Sequence, residues 1–274
     1  MKLSSGCLAS CIALLLALQG QAATIEHALN RMYNFDFNGA DREMDSYIAE
    51  HPQDALGYSF RGASLLFREL DRLAILEGEF FASNKRIADK KQLSPDAKIK
   101  ERFLAAIEKS KSLAKAKLAL DGNDKMAIFA LCLDAGLITD YMGLIEKRQL
   151  GSLSYAKESH SYAVKLLKLD PGFTDAYLTT GLTEYLLGSV PFFVKWFVRF
   201  EEAEGDKAVA VTRLKSVVEK GKYLGPFAKI LLAIIDLREK RPMGAEMKLV
   251  ELSRDFPENQ LFKKELEKLR PKLK

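Results

Sequence analysis

The sequence predicts an all-α protein built from consecutive pairs of antiparallel helices. The clearest pair lies in the stretch from Leu224 to Phe262, where apolar residues recur at helical spacing in two successive runs. Pro242 and Gly244 lie between the two runs, and this combination predicts a turn there. Small residues followed by a proline recur with a spacing of twelve residues at both ends of the chain, as Ala28, Ala40 and Pro52 and again as Ala233, Ala245 and Pro257.

This spacing resembles the tetratricopeptide repeat, a helix pair of about 34 residues with small residues where the helices cross and a proline after the second helix. The ending Leu169-Asp170-Pro171 is also frequent in such repeats. The resemblance implies a right-handed α-solenoid of about five tetratricopeptide-like helix pairs that acts as a binding scaffold. Tyr47 departs from the pattern, because a small residue is usual at its position.

The first 23 residues differ from the rest of the chain. Lys2 gives a positive start, an apolar run follows from Cys11 to Leu18, and Gly20 to Ala22 supplies small residues for cleavage. We expect a signal peptide at 1–23 and a helical domain at 24–274. The apolar run is shorter than the roughly 20 residues that a membrane-spanning helix needs, which disfavours the alternative of a membrane anchor.

Two of the predicted pairs carry insertions. Tyr58 and Gly62 lie the same distance beyond Pro52 as Tyr177 and Gly181 lie beyond Pro171, so two repeats share one register. The second pair is longer than the basic repeat by about 36 residues, which places the crossing of its second helix near Ser110 and predicts projecting helical arms. The fourth pair carries residues 189–204, and residues 262–269 form a C-terminal capping helix.

Composition gives no support for catalysis, metal binding or nucleic-acid binding. The formal net charge is only +5, and basic residues alternate with acidic ones along the helices. His27, His51 and His160 lie in separate repeats and have no second ligand at metal-binding spacing, so we expect surface or capping roles for them. Cys132 stands in an apolar helical context that predicts a buried side chain. We therefore expect neither an enzyme nor a bound cofactor.

The first candidate binding surface is the inner, concave side of the array, which the first helix of each pair lines in a solenoid. The repeat register places seven residues there: Leu56, Ser59, Ala63, Asp175, Leu178, Leu182 and Tyr185. An equally good interpretation is that several of these residues belong to the core.

The second candidate surface is the segment from Val190 to Phe200, which contains the only tryptophan, four phenylalanines and two basic residues. Such a composition suits a membrane surface or a partner. Its candidate contact residues are Phe192, Phe193, Trp196 and Phe197. The alternative is that this segment fills a gap between repeats.

Three functional hypotheses follow from these features. The first is an exported scaffold, most simply periplasmic, that binds a protein or peptide partner in the cell envelope. The second is a peripheral, membrane-associated envelope assembly factor that uses residues 190–200. The third is an enzyme whose site forms only in three dimensions. The absence of a nucleophile motif or a phosphate-binding loop favours the scaffold.

Overall fold

The computed structural model describes residues 23–77, 93–191 and 199–273, and these residues form eleven α-helices and no β-strand. The predicted all-α class is thereby confirmed. Residues 1–22 of the expected signal peptide lie outside the described residues. The helices in chain order are α1 (Ile25–Tyr33), α2 (Phe37–Glu50), α3 (Ala55–Arg72), α4 (Ala97–Leu120), α5 (Lys125–Asp140), α6 (Gln149–Leu169), α7 (Tyr177–Ser189), α8 (Lys207–Lys220), α9 (Gly225–Arg238), α10 (Pro242–Asp255) and α11 (Gln260–Leu269).

Most helices begin at a side-chain cap that the sequence encodes. An aspartate precedes α2, α3, α4, α5 and α8, and each carboxylate accepts a hydrogen bond from a backbone N–H of the first turn. Thr24 and Asn259 cap α1 and α11 in the same way. Such caps satisfy amide groups that lack an intrahelical partner and fix where each helix starts.

Consecutive helices pack most extensively as the five pairs α1–α2, α3–α4, α5–α6, α7–α8 and α9–α10. Each pair also packs against the next, and α11 packs on α10. The alanines that recur at a spacing of twelve are all buried, so they allow close approach of neighbouring helices: Ala28, Ala40, Ala233 and Ala245. Ser110 is fully buried in α4, near the position predicted for the crossing of the second pair.

The turn of the fifth pair differs from the expected position. It lies at Glu239 to Arg241, where Lys240 has a φ of 56°, and Pro242 is already the first residue of α10. Gly244 follows inside the same helix. Proline suits the first helical position because its missing N–H would have no intrahelical partner there. Pro242 therefore marks the start of the second helix and not the turn itself.

A contact with a proline carbonyl recurs at three places in the chain. The hydroxyls of Tyr58 and Tyr177 donate to the carbonyl oxygens of Pro52 and Pro171 at 3.4 and 3.2 Å. The Lys263 ammonium does the same to the Pro257 carbonyl at 3.0 Å, and in all three cases the donor lies six residues after the proline. The shared register that the Tyr–Gly spacing predicts is thus present at both tyrosines.

In each of the two helix pairs that carry an insertion, a buried carboxylate links the first helix to the start of the second. Glu69 of α3 accepts the N–H of Asp96, just before α4, at 2.7 Å and pairs with Arg72. Glu184 of α7 accepts the N–H groups of Gly205 and Asp206, just before α8, at 2.7 and 2.9 Å. A buried carboxylate with these charge-assisted bonds holds the start of the second helix against the first.

The second pair does not project freely in its described part. The ends of α3 and α4 pack on a π-helical turn, Tyr141–Ile145, that extends α5. This second apolar cluster contains Leu65, Leu66, Leu70, Leu73, Ile75, Phe103, Ile107, Tyr141 and Ile145. The described part of the expected arm is therefore packed against the next helix pair, because its apolar side chains need a partner surface. Residues 78–92 of that arm lie outside the described residues.

One helical stretch among the described residues, Lys125–Ile145, is long and apolar enough to cross a membrane. Half of its most apolar stretch is buried inside the protein, and its α-helical part packs against α3, α4 and α6. A core helix has the same length and composition, so this stretch is weak evidence for a membrane span.

The two ends of the helix array meet. The side-chain amide of Asn259 donates to the carbonyl oxygen of Tyr33 at 2.8 Å, and the Glu258 N–H donates to Asn34 Oδ1 at 3.1 Å. The rings of Tyr33 and Phe256 are 5.3 Å apart. The end of α1 is thus held against the turn between α10 and α11, and the array encloses an interior space.

Candidate functional site

An apolar cavity of about 250 Å³ lies inside this array and is partly open to solvent. The first helix of every pair contributes to its wall, and so do α10 and α11. Among the second helices only α10 takes part, through Leu249 and Leu252. The cavity is therefore the place where the inner sides of all five helix pairs converge.

Helix α9 contributes the largest share of the wall because it is apolar on two sides. Ala228 and Leu232 are buried against neighbouring helices. On another side the residues are only half-buried and line the cavity: Phe227, Ile230, Leu231, Ile234 and Leu237. A helix that is apolar around most of its circumference must be covered on both sides. One side of α9 meets helices and the other meets the cavity.

Three aromatic rings border a second, smaller chamber. Tyr33, Phe67 and Phe227 line both spaces, with ring centroids 6.1 Å apart for Tyr33–Phe67 and 5.6 Å apart for Phe67–Phe227. The small chamber measures about 80 Å³ and is lined by residues of α1, α3, α5, α7 and α9. The two spaces therefore adjoin at these rings.

Asp140, the last residue of α5, is the fourth residue that lines both chambers. Burial raises the pKa of its carboxyl group to about 7 and is the sole cause of this shift. No hydrogen bond or ion pair of this side chain occurs within the described parts of the chain. A carboxyl group without a partner in an apolar wall is held neutral more easily than charged.

Three of the other polar side chains in the wall have hydrogen-bond partners. The side chain of Asn259 donates to the Tyr33 carbonyl and accepts the Leu261 N–H at 2.9 Å. The Tyr185 hydroxyl donates to Glu239 at 3.2 Å, and Glu265 pairs with Lys268 at 2.9 Å. These groups hold the wall in place and have little capacity left for a ligand.

The described lining of this cavity is mostly aliphatic and aromatic. Water would find few hydrogen-bond partners on this wall, since a buried water needs two to four. The chemistry of the wall therefore favours an apolar occupant.

Four of the seven inner-face residues expected from the sequence line these chambers. Leu182 and Tyr185 line the large chamber, and Ala63 and Leu178 line the small one. The remaining three, Leu56, Ser59 and Asp175, are buried elsewhere among the helices.

Ser59 belongs to a buried polar cluster that joins three helices. Its hydroxyl lies 2.8 Å from Ser110 Oγ and donates to Asp134 Oδ1 at 2.8 Å. Burial raises the pKa of the Asp134 carboxyl to about 7, although the hydrogen bonds from Ser110 and Ser59 oppose the shift. This cluster connects α3, α4 and α5 and does not reach either chamber.

Asp175 stabilises the turn before α9. Its carboxylate accepts the N–H groups of Lys222, Tyr223 and Leu224 at 2.9, 3.2 and 2.9 Å. Burial nevertheless raises its pKa, and the backbone hydrogen bonds oppose that shift. All of its strong contacts are internal.

Residues Phe192, Phe193, Trp196 and Phe197 of the aromatic segment lie outside the described residues. The described end of the segment packs on His160, whose ring centroid lies 5.4 Å from that of Phe200. His160 is buried, and its Nε2–H donates to the Glu201 carbonyl at 2.6 Å. The surface or capping role expected for His160 is therefore wrong.

The sequence did not lead us to three parts of the cavity wall. These are Asp140, the lining residues of α11 and the apolar residues of α9 that face the cavity. A lone aspartate at the end of an apolar helix was the available signal for Asp140.

In the described residues no group of three or more His, Cys, Asp or Glu side chains could hold a metal ion. No known family model, curated protein or solved structure matches this chain.

Proposed function

We propose that this protein is an exported, non-catalytic binding scaffold of the cell envelope, most simply periplasmic, built from tetratricopeptide-like helix pairs. Its inner face binds a protein or peptide partner. The observation that carries the proposal is the convergence of the first helices of all five pairs on one apolar cavity. In a tetratricopeptide solenoid the first helices line the binding face.

Two further observations support the repeat architecture. The helices pack as sequential pairs, and at three places in the chain a donor lies six residues after a proline whose carbonyl it contacts. Gly62 and Gly181 occupy equivalent positions, and each faces the second helix of its own pair at a distance that leaves little room for a side chain. These are the features that a repeated two-helix unit needs.

The test compares partner recovery by the native chain and by a variant with a blocked inner face. Ile234→Trp adds volume inside the large chamber, whereas Met247→Trp adds the same side chain on the exposed surface of α10. We expect an envelope partner to be retained by the native protein and by Met247→Trp but lost with Ile234→Trp. Equal recovery by all three proteins would remove the inner face as the binding surface.

Export is tested separately by the mass of the mature protein and by cell fractionation. A mature chain that begins near Ala23 and appears in the periplasmic fraction agrees with the proposal. A full-length chain in the cytoplasmic fraction contradicts it.

The composition of residues 190–200 favours a second candidate, a peripheral membrane-associated assembly factor. In that case, changing Phe193 and Trp196 to serine releases the protein from envelope membranes while its helical content stays constant. Unchanged recovery with the membrane fraction eliminates this candidate.

A further inference from the structure

We propose that the large chamber binds a single long aliphatic chain, of the kind that single-chain lipids carry. This inference goes beyond the proposed function, because it names an occupant for the deep chamber, whereas the protein or peptide partner is expected at the open side of the inner face. The chamber holds about 250 Å³ and is bounded by branched aliphatic and aromatic side chains from α1, α3, α7, α9, α10 and α11. A cavity of 150 Å³ with a similar lining stays dry and binds small apolar molecules.

An extended peptide does not suit the deep part of this chamber. Each of its residues brings a backbone N–H and a C=O group that must find partners away from water. The wall is helical, so its own backbone groups are mostly paired within the helices. Asn259, Tyr185 and Glu265 are engaged with partners of this chain, as described above. A peptide backbone would therefore lose hydrogen bonds with water and gain few.

A helical peptide needs more width. It is about 11 Å across with its side chains, which is far wider than a single aliphatic chain. An aliphatic chain has neither problem, since it is narrow and carries no polar atoms along its length. The narrow space and the engaged polar groups of the wall together favour an aliphatic chain over a peptide.

The position of Asp140 constrains the ligand further. Asp140 lines both chambers, and its carboxyl group has no partner among the described residues. An anionic group placed beside Asp140 would be repelled by the charged form of that carboxyl group, and Arg238, the cation among the described lining residues, already interacts within this chain. The chain therefore enters with its apolar end first, and its polar end stays at the open side.

The test measures displacement of the uncharged fluorophore N-phenyl-1-naphthylamine from the full-length mature protein by 1-alkanols of six to fourteen carbons. We expect the apparent Kd to fall about fourfold for each added methylene until the chamber is filled, and then to level off. Ile234→Trp should weaken binding of the longer alkanols at least tenfold. Met247→Trp on the outer surface should leave it unchanged.

Circular dichroism and thermal unfolding verify that the variants are folded. If Ile234→Trp does not fold, Leu182→Phe on the opposite wall replaces it. The inference is overturned if the alkanols do not displace the fluorophore, if chain length has no effect, or if the variant with the filled chamber binds as tightly as the native protein.

Two further experiments with lipids identify the source of the aliphatic chain. Displacement by monomeric lysophosphatidylcholine indicates a free single-chain lipid. Sedimentation with phosphatidylcholine vesicles that Ile234→Trp abolishes indicates an acyl chain taken from a bilayer. Vesicle binding that Ile234→Trp does not change, without displacement by the alkanols, overturns the inference. Loss of envelope-partner recovery with Ile234→Trp, without any alkanol binding, would leave the proposed function intact and reject only the aliphatic ligand.

Discussion

At the scale of single residues, Asp134 and Asp140 are two carboxyl groups that burial holds near neutrality. The pKa of each is raised to about 7, from a usual value of 3.8. A native pKa above the unfolded value means that the native state binds the proton more tightly. Each group therefore contributes stability that is fully present below about pH 4 and is lost progressively as the pH rises to about 7.

The first prediction concerns Asp134, which is fully buried beside Ser59 and Ser110. Between pH 5 and pH 8 the free energy of unfolding of the native protein should fall by roughly 3 kcal/mol. The reason is that the unfolded chain has already lost this proton at pH 5, whereas the native protein keeps it over about two further pH units. Asp134→Asn should lack this slope in urea unfolding. Asp121→Asn, in an exposed turn, serves as the control. Identical pH slopes for Asp134→Asn and the native protein would show that Asp134 does not titrate in this way.

The second prediction concerns Asp140 and ligand binding. An aliphatic chain removes the remaining water from this carboxyl group and so favours its neutral form. The affinity for 1-dodecanol should fall as the pH rises above 7, by up to about tenfold per pH unit, and Asp140→Asn should bind independently of pH. The other titratable groups that line the chamber are Tyr33, Tyr185, Arg238 and Glu265. None of them is a cause of the Asp140 shift, and the pKa values of both tyrosines are raised, so they stay neutral over this range. A pH-dependent Asp140→Asn variant would assign the effect elsewhere.

At the scale of helices, the crossing of α7 and α8 depends on Gly181. A Cβ atom added there would lie 3.2 Å from Leu214 Cγ and 3.3 Å from the Ala210 carbonyl oxygen. Both atoms belong to α8, so the whole helix would have to shift. The strain of overpacking, about 2 kcal/mol, exceeds the gain of about 1 kcal/mol in helix propensity.

Gly181→Ala should therefore destabilise the protein by about 1 kcal/mol in urea unfolding. Gly122→Ala is the matched control, because a Cβ atom at this turn position meets no atom within 4 Å. It should be neutral or slightly stabilising, since alanine restricts the unfolded chain. A stabilising Gly181→Ala would show that the two helices are farther apart than described here.

The helices themselves could be predicted from the sequence, but the use of their apolar faces could not. The helix pairs and their register could be predicted from Ala245, Gly181 and the prolines. This is because the places where helices cross and end depend on local residue types. The apolar run of α9 predicted a helix and a buried face. Periodicity cannot tell whether such a face meets another helix or a cavity, since both need the same side chains. Ile230 and Ile234 are half-buried and face the cavity.

At the scale of the whole molecule, closure of the array depends on contacts between residues that are far apart in the sequence, which no local pattern predicts. Asn259 could be predicted as a helix cap, but its bond to Tyr33 joins residues 226 positions apart. The chamber and its border at Asp140 exist only because the two ends meet. Sequence reasoning therefore placed Leu182 and Tyr185 on the inner face but could not foresee an enclosed space.

The last prediction tests the closure. Asn259→Ser keeps an N-cap for α11 but cannot reach the Tyr33 carbonyl, which is left without that partner. We expect a loss of about 1–3 kcal/mol in unfolding free energy and faster hydrogen exchange in α1 and α11. Asp124→Ser, at the N-cap of α5, should cost much less because that carboxylate makes only its capping bond. Equal effects of the two changes would argue that the ends are not joined.

The central claim is that the helix pairs enclose an apolar chamber, and a crystal structure under xenon pressure tests it most directly. Xenon fills apolar cavities independently of any biological ligand. Strong xenon density between Leu182, Ile234 and Phe262 is the result that we predict. Ordered water at that place, or helix ends that lie apart with no chamber between them, would contradict the account.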